Sequence, residues 1–276
     1  GAASPDFTMT VDTTAQTAPG TPDLIAADDT GSSNTDNITS KVLPKLDVAL
    51  TGTGAVAGDR VQLRDSTGAV IGVAVLTAAD ITAGVVRVQV ATALNEGANA
   101  ITARIVDIAG NIGPDSAPFT VTVDTTSPNA PTFGLDPASD SGAQGDGLTN
   151  DNTPTFKGSG GTPGNTINLY DENGNLIGSA VVDQNGNWSI TPSAPIPDGP
   201  HSFTTTNTDA AGNESTPSAP MNLVIDTTAP AAPPVTSFSL DSGRSTSDGI
   251  TNDNDLTLGG TAEANSVVKI YDGTTL

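Results

Sequence analysis

Val123-Asp124-Thr125-Thr126 is the stretch that decides how this chain is built, because it occurs three times. It returns as Val11-Asp12-Thr13-Thr14 and as Ile225-Asp226-Thr227-Thr228. The copies lie 112 and 102 residues apart (124 minus 12, then 226 minus 124). Each leads into a Pro-containing run: Ala18-Pro19, Ser127-Pro128-Asn129-Ala130-Pro131, and Ala229-Pro230-Ala231-Ala232-Pro233-Pro234. A motif returning in one phase marks tandem units that stack on their neighbours.

Other motifs keep the same phase. Asp140-Ser141-Gly142 leads to Asp146-Gly147-Leu148-Thr149-Asn150-Asp151-Asn152, and Asp241-Ser242-Gly243 leads to Asp248-Gly249-Ile250-Thr251-Asn252-Asp253-Asn254. The first unit has Asp29-Thr30-Gly31 and Asp36-Asn37-Ile38-Thr39, then departs to Ser40-Lys41. Asp107-Ile108-Ala109-Gly110-Asn111 matches Asp209-Ala210-Ala211-Gly212-Asn213. The phase divides the chain into a leading strand over 1–14, full repeats over 15–126 and 127–228, and a truncated third repeat over 229–276.

Between the motifs, apolar residues alternate with period two, as in half-buried strands. Val61 with Leu63, Ile167 with Leu169, and Ile101, Ala103 and Ile105 form such rows. Pro and Gly interrupt every window of helical length, so no helix is expected. About seven strands in about 100 residues predict an all-β chain of tandem immunoglobulin-like β-sandwich domains, joined into an elongated rod. Strand order then places the Asp-Ser-Gly loop between strands A and B and the Asp-x-Ala-Gly-Asn turn between F and G. The A–B loop and the end of G share the C-terminal pole of a domain. The B–C and F–G turns share its N-terminal pole. Asp12 is thus expected to approach Asp107, Asp124 to approach Asp209, and Asp226 to approach Glu263 in the third repeat's B–C turn.

Composition narrows the function. Nine Lys and Arg against 31 Asp and Glu give a formal charge of −22. Nucleic acid and anionic membranes are disfavoured, since both need cationic side chains. There is no cysteine, which removes disulfides and thiolate metal sites. No apolar run reaches the roughly 18 residues of a membrane span. Gly1-Ala2-Ala3-Ser4-Pro5 lacks the features of a signal peptide, and the chain is read as a piece of a longer protein.

Converging carboxylates repel unless a cation neutralises them, and Ca²⁺ takes six to eight oxygen ligands. Two calcium sites per repeat are therefore expected. One lies at the joint and uses Asp12 with Asp107, Asp124 with Asp209, and Asp226 with Glu263. The other folds the A–B loop and uses Asp29 and Asp36, then Asp140, Asp146 and Asp151, then Asp241, Asp248 and Asp253. Lys41 in place of Asp151 weakens that loop site in the first repeat, and a B–C acid is missing from the first two, where Val56 and Thr162 align with Glu263. A competing reading is that Asp, Asn and Gly only cap turns. Asp65 and Asp171 are read in that way.

Catalysis has little support. The single histidine, His201, begins a strand with no recurring partner. No Gly-x-Ser-x-Gly elbow occurs. Trp188 reads as a buried strand residue.

With Val123-Asp124-Thr125-Thr126-Ser127-Pro128, residues 241–254 and residues 209–213 in hand, the chain resembles the bacterial Ig-like repeats of giant repeats-in-toxin-type and biofilm-associated adhesins. The resemblance implies type I secretion, retention at the bacterial cell surface, calcium between domains, and a role as an extender carrying a distal ligand-binding domain. The expected partners are neighbouring repeats of the same chain in a monomeric rod. Two other readings remain open: a glycan- or protein-binding module, and an accessory domain of a secreted polysaccharide-active enzyme.

Overall fold

The alternation in the sequence becomes alternation of burial. The computed structural model describes residues 8–238, 244–245, 248–252, 254–264, 266–271 and 274. In the first repeat the strands are β1 (Asp23–Leu24), β2 (Ile38–Thr39), β3 (Lys45–Ala49), β4 (Arg60–Arg64), β5 (Val70–Val75), β6 (Val85–Gln89), β7 (Gly97–Val106) and β8 (Phe119–Val123). Strands β1, β3 and β6 make one sheet, and β2, β8, β7, β4 and β5 the other. Val61, Leu63, Ile101, Ala103 and Ile105 all point inward and are fully buried. They meet Leu46, Val48, Val86 and Val88 of the facing sheet in one core. Burying a large aliphatic side chain of this kind stabilises by about 1.5–3 kcal/mol.

The second repeat has the same plan. Its strands are β9 (Gly134–Leu135), β10 (Leu148–Thr149), β11 (Phe156–Gly158), β12 (Thr166–Tyr170), β13 (Leu176–Val181), β14 (Trp188–Ile190), β15 (Gly199–Thr208) and β16 (Met221–Ile225). The sheets are β14-β11-β9 and β10-β16-β15-β12-β13. Aromatics replace aliphatics here: Phe156 and Phe203 pack with ring centroids 4.8 Å apart. Trp188 is 4% exposed, as its strand position predicts. A methyl group on Gly158 would lie 2.6 Å from its indole, so the ring needs a glycine beside it. In the third repeat β17 (Val235–Phe238) pairs antiparallel with β18 (Leu258–Gly260).

Two features differ from the sequence reading. The first strand of each sandwich is split. Its first half, β1 or β9, pairs antiparallel in the small sheet. Its second half crosses over and runs parallel to the last strand, with Ile38 opposite Thr122 and Leu148 opposite Val224. Each full repeat therefore has eight strands, and the Asp-rich loop assigned between A and B is the crossover between two halves of A. Two-residue strands are too short to leave a period in the sequence.

The second difference is a helix, α1 (Ala78–Ala83), between β5 and β6. Thr77 accepts a bond from the Asp80 N–H, and the Asp80 carboxylate accepts one from the Thr77 N–H at 2.8 Å. This reciprocal cap makes six residues helical where the pattern showed no period. In the second repeat a five-residue turn from Asp183 to Asn187 does the same work.

Candidate functional site at the joint between repeats

The joint is built from three short elements: the end of β8, the crossover loop of the first repeat, and the F–G turn of the second. The turn comes first, because its geometry is local. Asp209 N–H donates to Asn213 O at 3.1 Å, Gly212 N–H returns to Asp209 O, and Asn213 N–H donates to Asp209 Oδ1 at 2.9 Å. The same bonds close the turns beginning at Asp65, Asp107, Asp171 and Asp183. An Asp followed three residues later by Gly is thus one module used five times among the described residues. Bonds to the Asn111 amide hold Asp107 below the usual carboxylate range, as bonds to Thr67 do for Asp65.

At the F–G position the module also reaches across. Asn213 Nδ2 donates both to Asp209 Oδ2 at 3.0 Å and to the backbone oxygen of Asp124 at 2.8 Å. Asn111 does the same between Asp107 Oδ2 at 2.8 Å and Asp12 O at 3.1 Å. The structure therefore brings Asp12 to Asp107 and Asp124 to Asp209, through an asparagine and a main-chain carbonyl rather than two carboxylates. The carboxylates of Asp12, Asp124 and Asp226 turn back onto their own chain and accept the N–H two residues on, at 2.9, 3.0 and 3.0 Å. Asp226 and Glu263 share no hydrogen bond among the described residues. The Glu263 main-chain oxygen accepts from Ser266 instead.

The crossover loop adds a second contact. The Thr30 hydroxyl donates to Ala211 O in the next repeat. Gly31, at φ +98°, packs against the Ala210 carbonyl so closely that any Cβ would collide with it. Gly212, at φ +86°, presses back on the Gly31 N–H. Only glycine meets both demands, a left-handed backbone and contact of main chain on main chain. Asn207, buried in the second sandwich, donates to Asn129 O of the linker at 3.4 Å. Around this joint lies a crevice of about 690 Å³ whose walls include Asp124, Asn165, Asn207 and Asp209.

Within the loops the acids divide into capping and orphaned groups. Asp36, Asp146 and Asp248 each accept the N–H two residues on, at 3.1, 2.9 and 3.1 Å, and in the two full repeats this starts the second half of strand A. Asp151 accepts from Thr153 in the same way. Asp29 and Asp140 differ. Asp29 Oδ2 accepts from Asn37 at 3.2 Å and Asp140 Oδ2 from Gly145 at 2.6 Å, but Oδ1 of each is buried without a partner. Burial, with the nearby Asp36, pushes the Asp29 carboxyl above its ordinary range. Asp241 and Asp253 lie outside the described residues. Among the described residues no three acidic or histidine side chains gather closely enough to hold a metal by themselves.

The departure at Lys41 is compensated. Its ammonium meets Asp28 Oδ1 at 2.5 Å and Ala27 O at 2.7 Å. Asp28 Oδ2 accepts the Lys45 N–H, the bond that Ser139 Oγ accepts from Thr155 in the second repeat. Where the second repeat has Ser139 and Asp151, the first has Asp28 and Lys41. Burial opposes the Asp28 charge, but the bonds from Lys41 and Lys45 hold its carboxyl below the ordinary value.

The profile of the bacterial Ig-like domain matches residues 14–125 and 127–227, most of the chain. The chain belongs to the bacterial Ig-like domain family. No curated protein matches these Ig-like repeats. Solved structures matched by the bacterial Ig-like chain include the BSP domain of a biofilm-associated protein, at 20% identity over 70% of this chain and 29% of that one, with a TM-score of 0.26. A calcium-stabilized adhesin with which an Antarctic bacterium binds ice matches at 23% identity over 79% of this chain and 51% of that one, TM-score 0.41. A tetra-tandem repeat from the extending region of a large adhesion protein matches at 22% over 77% and 50%, TM-score 0.29. The chain spans about half or less of each.

Three residues of these Ig-like repeats escaped the sequence reading. Glu96 accepts from Thr125 N–H at 3.2 Å and from its hydroxyl at 2.9 Å, and Asp198 does so from Thr227 at 3.1 and 2.8 Å. They occupy equivalent places 102 residues apart, but as Glu and Asp they do not match by identity. Asp59 supplies an acid to the B–C turn of the first repeat, three residues after Val56. It is 1% exposed. Its Oδ2 accepts from Val56 and Gln16, and its Oδ1 has no partner. Asn165 stands there in the second repeat and donates to Asn207. Among the described residues no helix is long and apolar enough to cross a membrane.

Proposed function

We propose that this chain is part of the extender of a secreted adhesin at the bacterial cell surface, in which Ig-like repeats stack end to end and calcium stiffens the stack in support of adhesion and biofilm formation. One observation carries the reading: the bridge from Asn213 to Asp124 is repeated by the bridge from Asn111 to Asp12. The C-terminal pole of one repeat thus fits the N-terminal pole of the next, and such a head-to-tail contact propagates without closing.

Calcium is supported by the chemistry of the poles. Asp29, Asp59 and Asp140 each keep a buried carboxylate oxygen without a donor. An orphaned buried charge is costly, and a hard cation relieves it. Each of these residues, at its own pole, would hold a separate ion, with main-chain oxygens completing its shell. Bound only by the folded chain, it would stabilise by mass action.

The test combines melting curves with small-angle scattering, in calcium and in chelator, on the parent chain and on Gly31→Ala. Calcium should raise the melting temperature and lengthen the particle, with magnesium at equal ionic strength as the control. Gly31→Ala should loosen the joint in both conditions. Superimposable melts and unchanged scattering would remove calcium from the reading. An unchanged Gly31→Ala particle would remove the head-to-tail contact.

A further inference from the structure

The two full repeats differ at one groove, beside the fifth strand of each sandwich. In the first repeat the segment after β6 is tied to β5: Ala91 and Thr92 N–H both donate to Ile71 O, and Val90 N–H donates to Pro44 O. Ile71 is 4% exposed. In the second repeat the equivalent segment reads Pro192-Ser193-Ala194-Pro195-Ile196-Pro197. Pro192 replaces Val90 and has no N–H to give. No bond from Ser193 or Ala194 reaches Ile177 O among the described residues, and only the far end is anchored, by Ile196 N–H to Asn152 O at 2.7 Å. A groove of about 430 Å³ stands open there, walled by Leu176, Ile177, Pro192, Pro195 and Ile196.

Its lining carries two carboxylates, Asp171 and Glu172, with Asn173, Ser193 and His201 as its other polar side chains. Glu172 stands at the rim where the first repeat has Ser66, with its side chain 39% exposed. His201 replaces Asn99 and orients that carboxylate from the floor, with Nδ1 3.2 Å from Oε1 while Nε2 meets Pro197 O at 2.8 Å. A carboxylate accepts about four hydrogen bonds, so Glu172 retains capacity after His201 is served. The three prolines contribute carbonyls and no donors. The carboxylates favour a ligand that brings apolar surface and a cation together.

We propose that this groove binds a segment of a partner protein in which a basic side chain neighbours an apolar one. A second copy of this chain is a poor occupant, because Lys and Arg number nine against 31 acids. A saccharide is a poor occupant too: the aromatic ring at the groove, Phe203, is fully buried and offers no face for stacking. The proposal is independent of the extender reading, since the groove flanks the strands of one repeat and uses no residue of the joint.

The test is methyl NMR of the whole chain titrated with the amidated, acetylated tetrapeptide Leu-Arg-Leu-Arg, with Leu-Glu-Leu-Glu and with maltotriose. The arginine peptide should give saturable shifts at Leu176, Ile177 and Ile196, about tenfold tighter than the glutamate peptide. Glu172→Gln should weaken it by at least about threefold without altering strand content. Pro192→Val with Pro195→Ala and Pro197→Asn, which copies the first repeat, should abolish the shifts. The proposal is overturned by absence of saturation, by equal response to the glutamate peptide, by response to maltotriose alone, or by the same shifts at Val70 and Ile71. Unchanged binding in Glu172→Gln overturns it as well, whether or not the triple variant folds.

Discussion

At the scale of single residues, the chain exchanges charge and hydrogen bonding as coupled pairs. Asp28 is buried in the first repeat and depends on Lys41, whereas the second repeat fills the two places with Ser139 and Asp151. Lys41→Asp alone should cost about 2 kcal/mol, because it leaves Asp28 without its cation and sets a second carboxylate beside it. The partial exposure of Lys41 keeps the figure below that of a fully buried pair. Adding Asp28→Ser should recover most of the loss, since the serine hydroxyl can take the Lys45 N–H as Ser139 takes that of Thr155. Chemical denaturation of the parent, both single variants and the double variant closes the cycle. Additive losses would show that the two positions do not compensate. The orphaned oxygen of Asp29 belongs to the same scale. It is the kind of strain that a turn-capping role leaves unexplained, because Asp36 and Asp146 cap their turns with none.

At the scale of elements, α1 depends on one local device. Thr77→Ala removes the hydroxyl that caps Asp80 N–H and should destabilise the first repeat by about 1 kcal/mol, leaving the second repeat unchanged. Hydrogen exchange resolved by repeat measures this; equal loss of protection in both repeats would contradict it. The helix also shows where sequence patterns stop being informative. The sandwich was legible because rows such as Val61 with Leu63 and Ile167 with Leu169 alternate over whole strands. The poles were legible because strand order alone sends Asp124 and the F–G turn to one joint. Six helical residues span less than two turns and give no period, although Thr77-x-x-Asp80 and the following Gly84 carry the start and stop signals. Halves of strand A two residues long give none either. At the joint, the pairing of Asp124 with Asp209 was legible, but the atoms were not: the asparagine of Asp-x-Ala-Gly-Asn makes the bridge, and a main-chain oxygen receives it. Glu96 and Asp198 were missed because each depends on a contact distant in sequence, and these two and Asp59 differ in identity from one repeat to the next.

At the scale of the whole molecule, the acidic balance sets how stability depends on pH, and two opposing contributions fix its shape. Asp65, Asp107, Glu96 and Asp198 are held below their ordinary values by bonds from Thr67, Asn111, Thr125 and Thr227. A depressed carboxyl contributes stability above its unfolded value, 3.8 for Asp and 4.5 for Glu, and loses it as pH falls through the folded value. Asp29 has the opposite sign. Its raised carboxyl costs stability while ionised and is relieved on protonation. The formal charge of −22 also repels itself at pH 7 and shrinks as the pH approaches the isoelectric point near 4.1. Without calcium, the melting temperature should therefore rise on acidification from pH 7 to about pH 5, then fall steeply below about pH 4 as the turn carboxylates protonate. Salt separates the two limbs. Raising NaCl from about 20 mM to about 300 mM should flatten the rise, which comes from long-range repulsion, and preserve most of the fall, which comes from bonds at contact distance. Calorimetry across that grid decides the matter. A melting temperature that falls steadily from pH 7 would mean that self-repulsion does not govern this chain, and a rise indifferent to salt would trace it to Asp29 instead.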